Sequence, residues 1–257
     1  MSRIYDALKR AERRPAGAPT IAPVDGRPPL EAVQDLGDHA RLEYERLQVW
    51  ITNRAPDVPP IRGVMVASCQ RGNGATTTAI GLAATLARRP AGHVLLVDAN
   101  LRAPSLHRRL GVPQGRGLRE FLGDCAETAD VRPTSWPNLF VMTSGLTSCS
   151  ALEIFSPAAL ERLVAHLESR FDFLVFDASP FLEFPDAYAL APHVDAVLLV
   201  VEADRTLVDD ARRVMRELER AGVRAAGVVL NRQRDYTPSL LRRALHGWNG
   251  SRRIPAA

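Results

Sequence analysis

The chain has 257 residues, 46% hydrophobic and 24% charged, with a formal net charge of +4; at roughly 100–200 residues per domain it fits one α/β domain with extra segments, and it is too apolar to be disordered. No apolar run reaches the roughly 18 residues of a membrane span, and the start lacks a signal-peptide core. Cys69, Cys125 and Cys149 have no CxxC spacing, so a cytoplasmic protein without a disulfide framework or zinc site is expected.

In chain order, residues 2–13 set Ile4, Leu8 and Ala11 on one helical face behind Ser2, with charges on the other sides. This reads as a short amphipathic helix, and a helix so short needs a partner to pack on, so residues 1–13 are expected to dock. Residues 14–35 form a Pro/Ala-rich linker, with Pro15, Pro19, Pro23, Pro28 and Pro29 disfavouring both helix and ladder.

The folded domain is expected over residues 36–235. It begins with a helix from Leu36 through Trp50 and a loop holding Pro56, Pro59 and Pro60. Near-continuous apolar runs then predict strands at 64–68, 94–98, 139–143, 173–177, 196–201 and 226–230, a pattern that implies burial on both faces. Helical stretches at 77–88, 157–170 and 207–221 alternate with them. The predicted class is α/β: a doubly wound, mostly parallel sheet with helices on both faces and its ligand at the carboxyl ends of the strands. Residues 236–257 read as a basic tail, more often a solvated end than a binding site.

Directly after the first strand comes Cys69-Gln70-Arg71-Gly72-Asn73-Gly74-Ala75-Thr76-Thr77, followed by the helix TAIGLAATLA. Glycines let backbone N–H groups curl around a phosphate, and a helix N-terminus adds its dipole. In the pattern GxxxxGK[ST], Ala75 sits where the lysine belongs and Thr76 where the magnesium-binding hydroxyl belongs. The second strand ends VLLVDANLR, placing Asp98, Asn100 and Arg102 at its carboxyl end, and FDFLVFDASP places Asp177 at another. Carboxylates there can hold Mg²⁺ and orient an attacking group, so Thr76, Asp98 and Asp177 are the candidate metal ligands.

These motifs, with VDANLRAPSLHRRLG, GLREFLG, Asp177 followed by Pro180 and Asp186, GVVLNR, and the opening SRIYDALKRAE, resemble the cytoplasmic tyrosine kinases of bacterial capsule and exopolysaccharide synthesis, relatives of the ParA/MinD ATPases. The resemblance covers residues 40–232 and the opening segment. It implies a P-loop NTPase fold that binds ATP or ADP with Mg²⁺. It also implies catalytic positions at Asp98, Asn100 and Asp177, nucleotide contacts from Arg71 to Thr77 and at Arg102, and an adenine contact at Asn231. The implied partner is an inner-membrane polysaccharide chain-length or co-polymerase protein, which would hold the chain at the inner face of the membrane, together with self-association as a homo-oligomer.

The chain departs from the family's pattern in three places. Lys9 is its only lysine, so arginine would be the expected replacement in the loop; alanine stands there instead. Residues 231–257 hold only Tyr236, where the family carries a tyrosine cluster. In LEYERLQVWI, which is similar to the family's EAYRSLRTNI, Glu45 and Gln48 replace two arginines that join subunits in a ring, while Tyr44, Leu47 and Ile51 read as core. Arg71 reaches toward the phosphates but would not reproduce a lysine's position. Gln70 stands where ParA/MinD proteins carry a second lysine, so no nucleic-acid partner is expected. The expectation is a kinase-like regulator or assembly partner of polysaccharide export with weak or absent phosphotransfer. The alternatives are an active autophosphorylating tyrosine kinase and a positioning ATPase.

Overall fold

The computed structural model describes residues 38–53, 57, 59–89, 92–123, 130–147, 154–223 and 226–233. The expected N-terminal helix, the linker, the basic tail, Tyr236, Cys125 and Cys149 lie outside the described residues.

Helix α1 (Asp38–Thr52) precedes strand β1 (Gly63–Ser68), helix α2 (Ala75–Ala87) and strand β2 (Val94–Ala99). Short helices α3 (Leu106–Arg109) and α4 (Leu118–Leu122) lead to strands β3 (Arg132–Pro133) and β4 (Leu139–Met142). Helix α5 (Pro157–Glu168), strand β5 (Phe173–Ala178), helix α6 (Asp186–Leu190) and a 3₁₀ turn follow, then β6 (Ala196–Glu202), α7 (Val208–Arg220) and β7 (Ala226–Asn231). The sheet order is β3-β4-β2-β5-β1-β6-β7. Every pairing is parallel except β3 with β4.

The apolar runs are explained by which face each residue feeds. Along β1, Val64 and Val66 join α2 residues Ile80, Leu82 and Leu86 in one core, and Met65 and Ala67 join α5 and α7 in the other. Strands β2, β5 and β6 alternate in the same way. A side-chain period of two thus gives a continuous apolar sequence when both faces are covered.

Helix α1 packs Ile51 fully and Tyr44, Leu47 and Trp50 partly against the α2 side, so Tyr44, Leu47 and Ile51 are core residues as expected. Glu45, at one of the positions where the family has arginine, accepts a hydrogen bond from Arg41 on the same helix, at 3.2 Å. The α1–α2 contact depends on Gly81, because a Cβ there would lie 2.7 Å from both Cε1 and Oη of Tyr44. Mid-helix Gly→Ala ordinarily stabilises by about 1 kcal/mol. Here Gly81→Ala is expected to lower the melting temperature, because displacing a packed ring costs about 1–3 kcal/mol. In a Tyr44→Ala background the same substitution should become neutral or stabilising, which thermal melts of the four proteins would read out.

Candidate functional site

The turn after β1 is built to leave its amides open. Gly72 and Gly74 have φ values of 84° and 97°, a region that costs other residues a steric penalty. Gly74 is also the N-cap of α2, so the helix's first amides face the loop's hollow.

The loop is held from behind. Asn73 is fully buried; its Oδ1 accepts from the Gln70 backbone at 3.1 Å, and its Nδ2 donates to Glu202 Oε2 at 3.3 Å. Asn231, at the end of β7, donates from Nδ2 to the Asn73 carbonyl at 2.8 Å. A Cβ on Gly74 would collide with that same amide. Asn73 and Asn231 therefore brace the loop, with one of the two Asn231 amide N–H groups used there. The cavity in front measures about 260 Å³ and is lined by Gly72, Gly74, Ala75, Thr76, Thr77 and Asn100, among others.

Adjacent strands β2 and β5 bring the two acids side by side, with Asp98 in register with Asp177. Both are buried, at 0% and 1% exposure. Asp98 Oδ2 accepts from the backbone N–H groups of Ser105 and Leu106, each at 3.0 Å, and so caps α3. Its Oδ1 has no partner among the described residues, nor has either oxygen of Asp177. Burial pushes Asp98 up to about 6 against the pull of backbone N–H groups. Burial and then the neighbouring Asp98 charge push Asp177 well above the usual carboxylate range; Thr76 and Arg109 oppose this. The Thr76 hydroxyl is close enough to Asp177 to pull its pKa down.

Buried carboxylate oxygens without donors are costly unless a cation or proton satisfies them. The three orphaned oxygens beside the Thr76 hydroxyl fit Mg²⁺, which takes one or two carboxylates and completes its shell with phosphate and water. Among the described residues no group of three or more His, Cys, Asp or Glu side chains is placed to hold a metal ion, so an all-protein metal cage is not on offer there. Asp98, Asp177 and Thr76 would hold the ion, which when bound would supply charge neutralisation for phosphates.

The other sequence-predicted residues divide. Asn100 lines the cavity, and its Oδ1 accepts from Ser179 Oγ at 3.1 Å and the Ala103 backbone at 3.2 Å, which fixes the turn after β2. Arg102 is not brought to the cavity. It forms a two-pronged pair with buried Asp186, at 2.9 and 3.3 Å, and lies over the Phe184 ring. Arg71 lines the cavity but is ion-paired to Glu183 at 2.9 Å and also lies over Phe184.

Two lining arginines were not among the sequence-predicted site residues. Arg232, the last residue of the GVVLNR match, lines the cavity and pairs with Glu202 at 2.8 Å. Arg109, at the end of α3, donates from Nη1 to Thr77 Oγ1 at 3.3 Å. Nothing in LHRRLG separates Arg109 from Arg108; in the fold Arg109 reaches Thr77 while Arg108 turns back to the Pro104 carbonyl.

No family profile matches the chain. It is 29% identical over 211 residues to the tyrosine-protein kinase CpsD of Streptococcus pneumoniae serotype 4, covering 80% of this chain and 91% of CpsD. The VpsO kinase domain superposes with a TM-score of 0.70 at 30% identity, over 79% of this chain and 98% of that domain. The septum-site protein MinD of Pyrococcus horikoshii, solved with Mg-ADP, superposes at 0.56 with 22% identity over 72% of this chain and 76% of MinD, a likeness of fold. The seven-stranded sheet and its loop are thus a P-loop NTPase fold. On the similarity to CpsD and the VpsO domain, the chain belongs to the family of bacterial capsule and exopolysaccharide tyrosine kinases.

Proposed function

We propose that this chain binds a magnesium nucleotide and responds by changing conformation, with little or no phosphotransfer, as a regulator or assembly partner in the making and export of a capsule or exopolysaccharide. The observation that carries this reading is the alanine at position 75 in front of an intact acid pair. A lysine at that position would make charge-assisted hydrogen bonds worth about 1.5–3 kcal/mol each, and its charge would count most as charge develops during transfer. A ligand that prefers one conformation still shifts the population without chemistry. By family likeness, the partner would be a membrane chain-length protein, with residues 1–13 as the docking element on the inner face of the membrane.

Calorimetric titration with Mg-ADP and Mg-ATP tests the nucleotide part. Weak binding is expected, with Ala75→Lys about tenfold tighter, the factor that 1.4 kcal/mol represents. Tyrosine phosphorylation of the chain or a partner that is lost in Asp98→Asn and Asp177→Asn would overturn the reading.

That outcome would select the second reading, an active tyrosine kinase. It is favoured by the arginines that line the cavity and would give Tyr236 as the modified residue. Phosphate mapping on Tyr236 and its loss in Tyr236→Phe would establish it.

A further inference from the structure

Three arginines are among the residues that line the cavity in front of the loop, Arg71, Arg109 and Arg232. Two are already engaged by carboxylates, Arg71 by Glu183 at 2.9 Å and Arg232 by Glu202 at 2.8 Å, the second carboxylate being shared with Arg205. Arg109 differs. Its guanidinium pairs with no carboxylate among the described residues and makes one hydrogen bond there, to the neutral Thr77 hydroxyl at 3.3 Å.

Its backbone is well fixed although its side chain is exposed. Leu106, at the start of α3, and Leu110, just past its end, are 0% and 4% exposed, and the start of the helix is tied to Asp98 Oδ2. Thr77, which Arg109 touches, lies in the first turn of α2, two residues beyond Ala75. A cation with an uncommitted planar fork thus stands over the first turn of the phosphate-loop helix, on the same cavity from which the loop's own cation is missing. Guanidinium is suited to this position, because it binds phosphate oxygens in pairs and stays charged.

We propose that Arg109 supplies the positive charge absent at position 75, binding the outer phosphates of a nucleotide from α3 instead of from the loop. This rests on the reading that the loop binds nucleotide. A cation held by a different element approaches the phosphates from a different direction. It restores ground-state binding without restoring the lysine's geometry, which accords with binding uncoupled from transfer. The charge also acts on Asp177, so phosphates and acid pair would share one cation.

The test is titration of the 257-residue chain with Mg-ADP and Mg-ATP, using wild type, Arg109→Ala, Arg109→Lys, Ala75→Lys and the Ala75→Lys/Arg109→Ala double variant. Arg109→Ala should weaken Mg-ATP binding about 10- to 100-fold, as loss of charge-assisted bonds predicts. Mg-ADP should lose less, and Arg109→Lys should keep part of the affinity. Ala75→Lys should tighten binding more in the Arg109→Ala background than in wild type, because the two cations serve the same phosphates. Arg109 is exposed, so an unchanged thermal melt confirms that the variants fold. Equal affinities of wild type and Arg109→Ala would overturn the role of Arg109 and leave nucleotide binding standing. Absence of binding to wild type and to Ala75→Lys would overturn both.

Discussion

Asp177→Asn is expected to raise the melting temperature of the Mg²⁺-free protein at pH 8 while abolishing its magnesium-dependent nucleotide binding. Asp177 accepts no hydrogen bond from the described residues, so the amide forfeits none of those, and it removes a buried charge set against Asp98. The sign follows from the direction of the shifts. Asp98 in the folded protein titrates at about 6, above its ordinary value, and Asp177 is raised as well. The folded state therefore holds protons that the unfolded chain releases. The pair's contribution is fully favourable below about pH 4 and is lost as pH rises through 6 and beyond. For Asp98 alone, two pKa units correspond to about 3 kcal/mol. Relief of about 2 kcal/mol in the variant would raise the melting temperature by roughly 4–8 °C. Melts at pH 8 and pH 5 check this, since the gap should shrink at the lower pH. A gap that does not change with pH would show that charge repulsion is not its source. Wild type alone should recover stability on adding Mg-nucleotide, because only it has the site that rewards folding with binding.

The same acids show where sequence reading succeeds and where it stops. Asp98 and Asp177 were legible because strand ends follow directly from buried apolar runs, and the parallel order of β2 and β5 sets the two side by side. Asp98's split use was not legible. One oxygen caps a helix seven residues on and the other faces the acid site, a division that depends on how the turn after β2 closes. Strand β3 was missed for a related reason. Its two residues, Arg132 and Pro133, carry no apolar pattern and exist as a strand only through antiparallel pairing with β4. Arg102 was assigned to the nucleotide on the strength of its motif. The structure gives it to Asp186, 84 residues away along the chain, a distance over which spacing is silent. Arg109 and Arg232 share that limit, because an arginine's reach depends on what surrounds its stem, and local sequence does not encode those surroundings.

Glu120→Gln should cost more stability than any other single-atom exchange discussed for this protein, with an opposite response to pH. Glu120 is 4% exposed, and its two oxygens divide three backbone donors. Oε2 accepts from Gly117 at 2.7 Å, and Oε1 accepts from Leu146 at 2.7 Å and Thr147 at 2.9 Å. An amide has only one acceptor oxygen, so its NH₂ would have to face a backbone N–H whichever way it is turned. The loss of one or two charge-assisted bonds plus a buried unsatisfied donor sums to about 2–4 kcal/mol. Burial acts to raise the Glu120 pKa, but the backbone N–H groups outweigh it and hold the carboxyl below its usual value. Its stabilisation is therefore present above the unfolded pKa and is lost as pH falls through the lower folded one, the reverse of the Asp98–Asp177 pair. Acidified from pH 8, wild type should first gain from the aspartates and then lose from Glu120, whereas the Gln variant lacks the second limb. The consequence extends to the site. Neighbouring Arg119 ties the carbonyl of Thr147 to that of Leu101, in the turn that carries Asn100 into the cavity. Releasing the 144–147 segment should slacken that turn, so Glu120→Gln is expected to weaken nucleotide binding severalfold under conditions where the protein is still folded. Calorimetry at low temperature would measure this. Unchanged affinity in the folded variant would show that the loop after β4 supports the sheet alone.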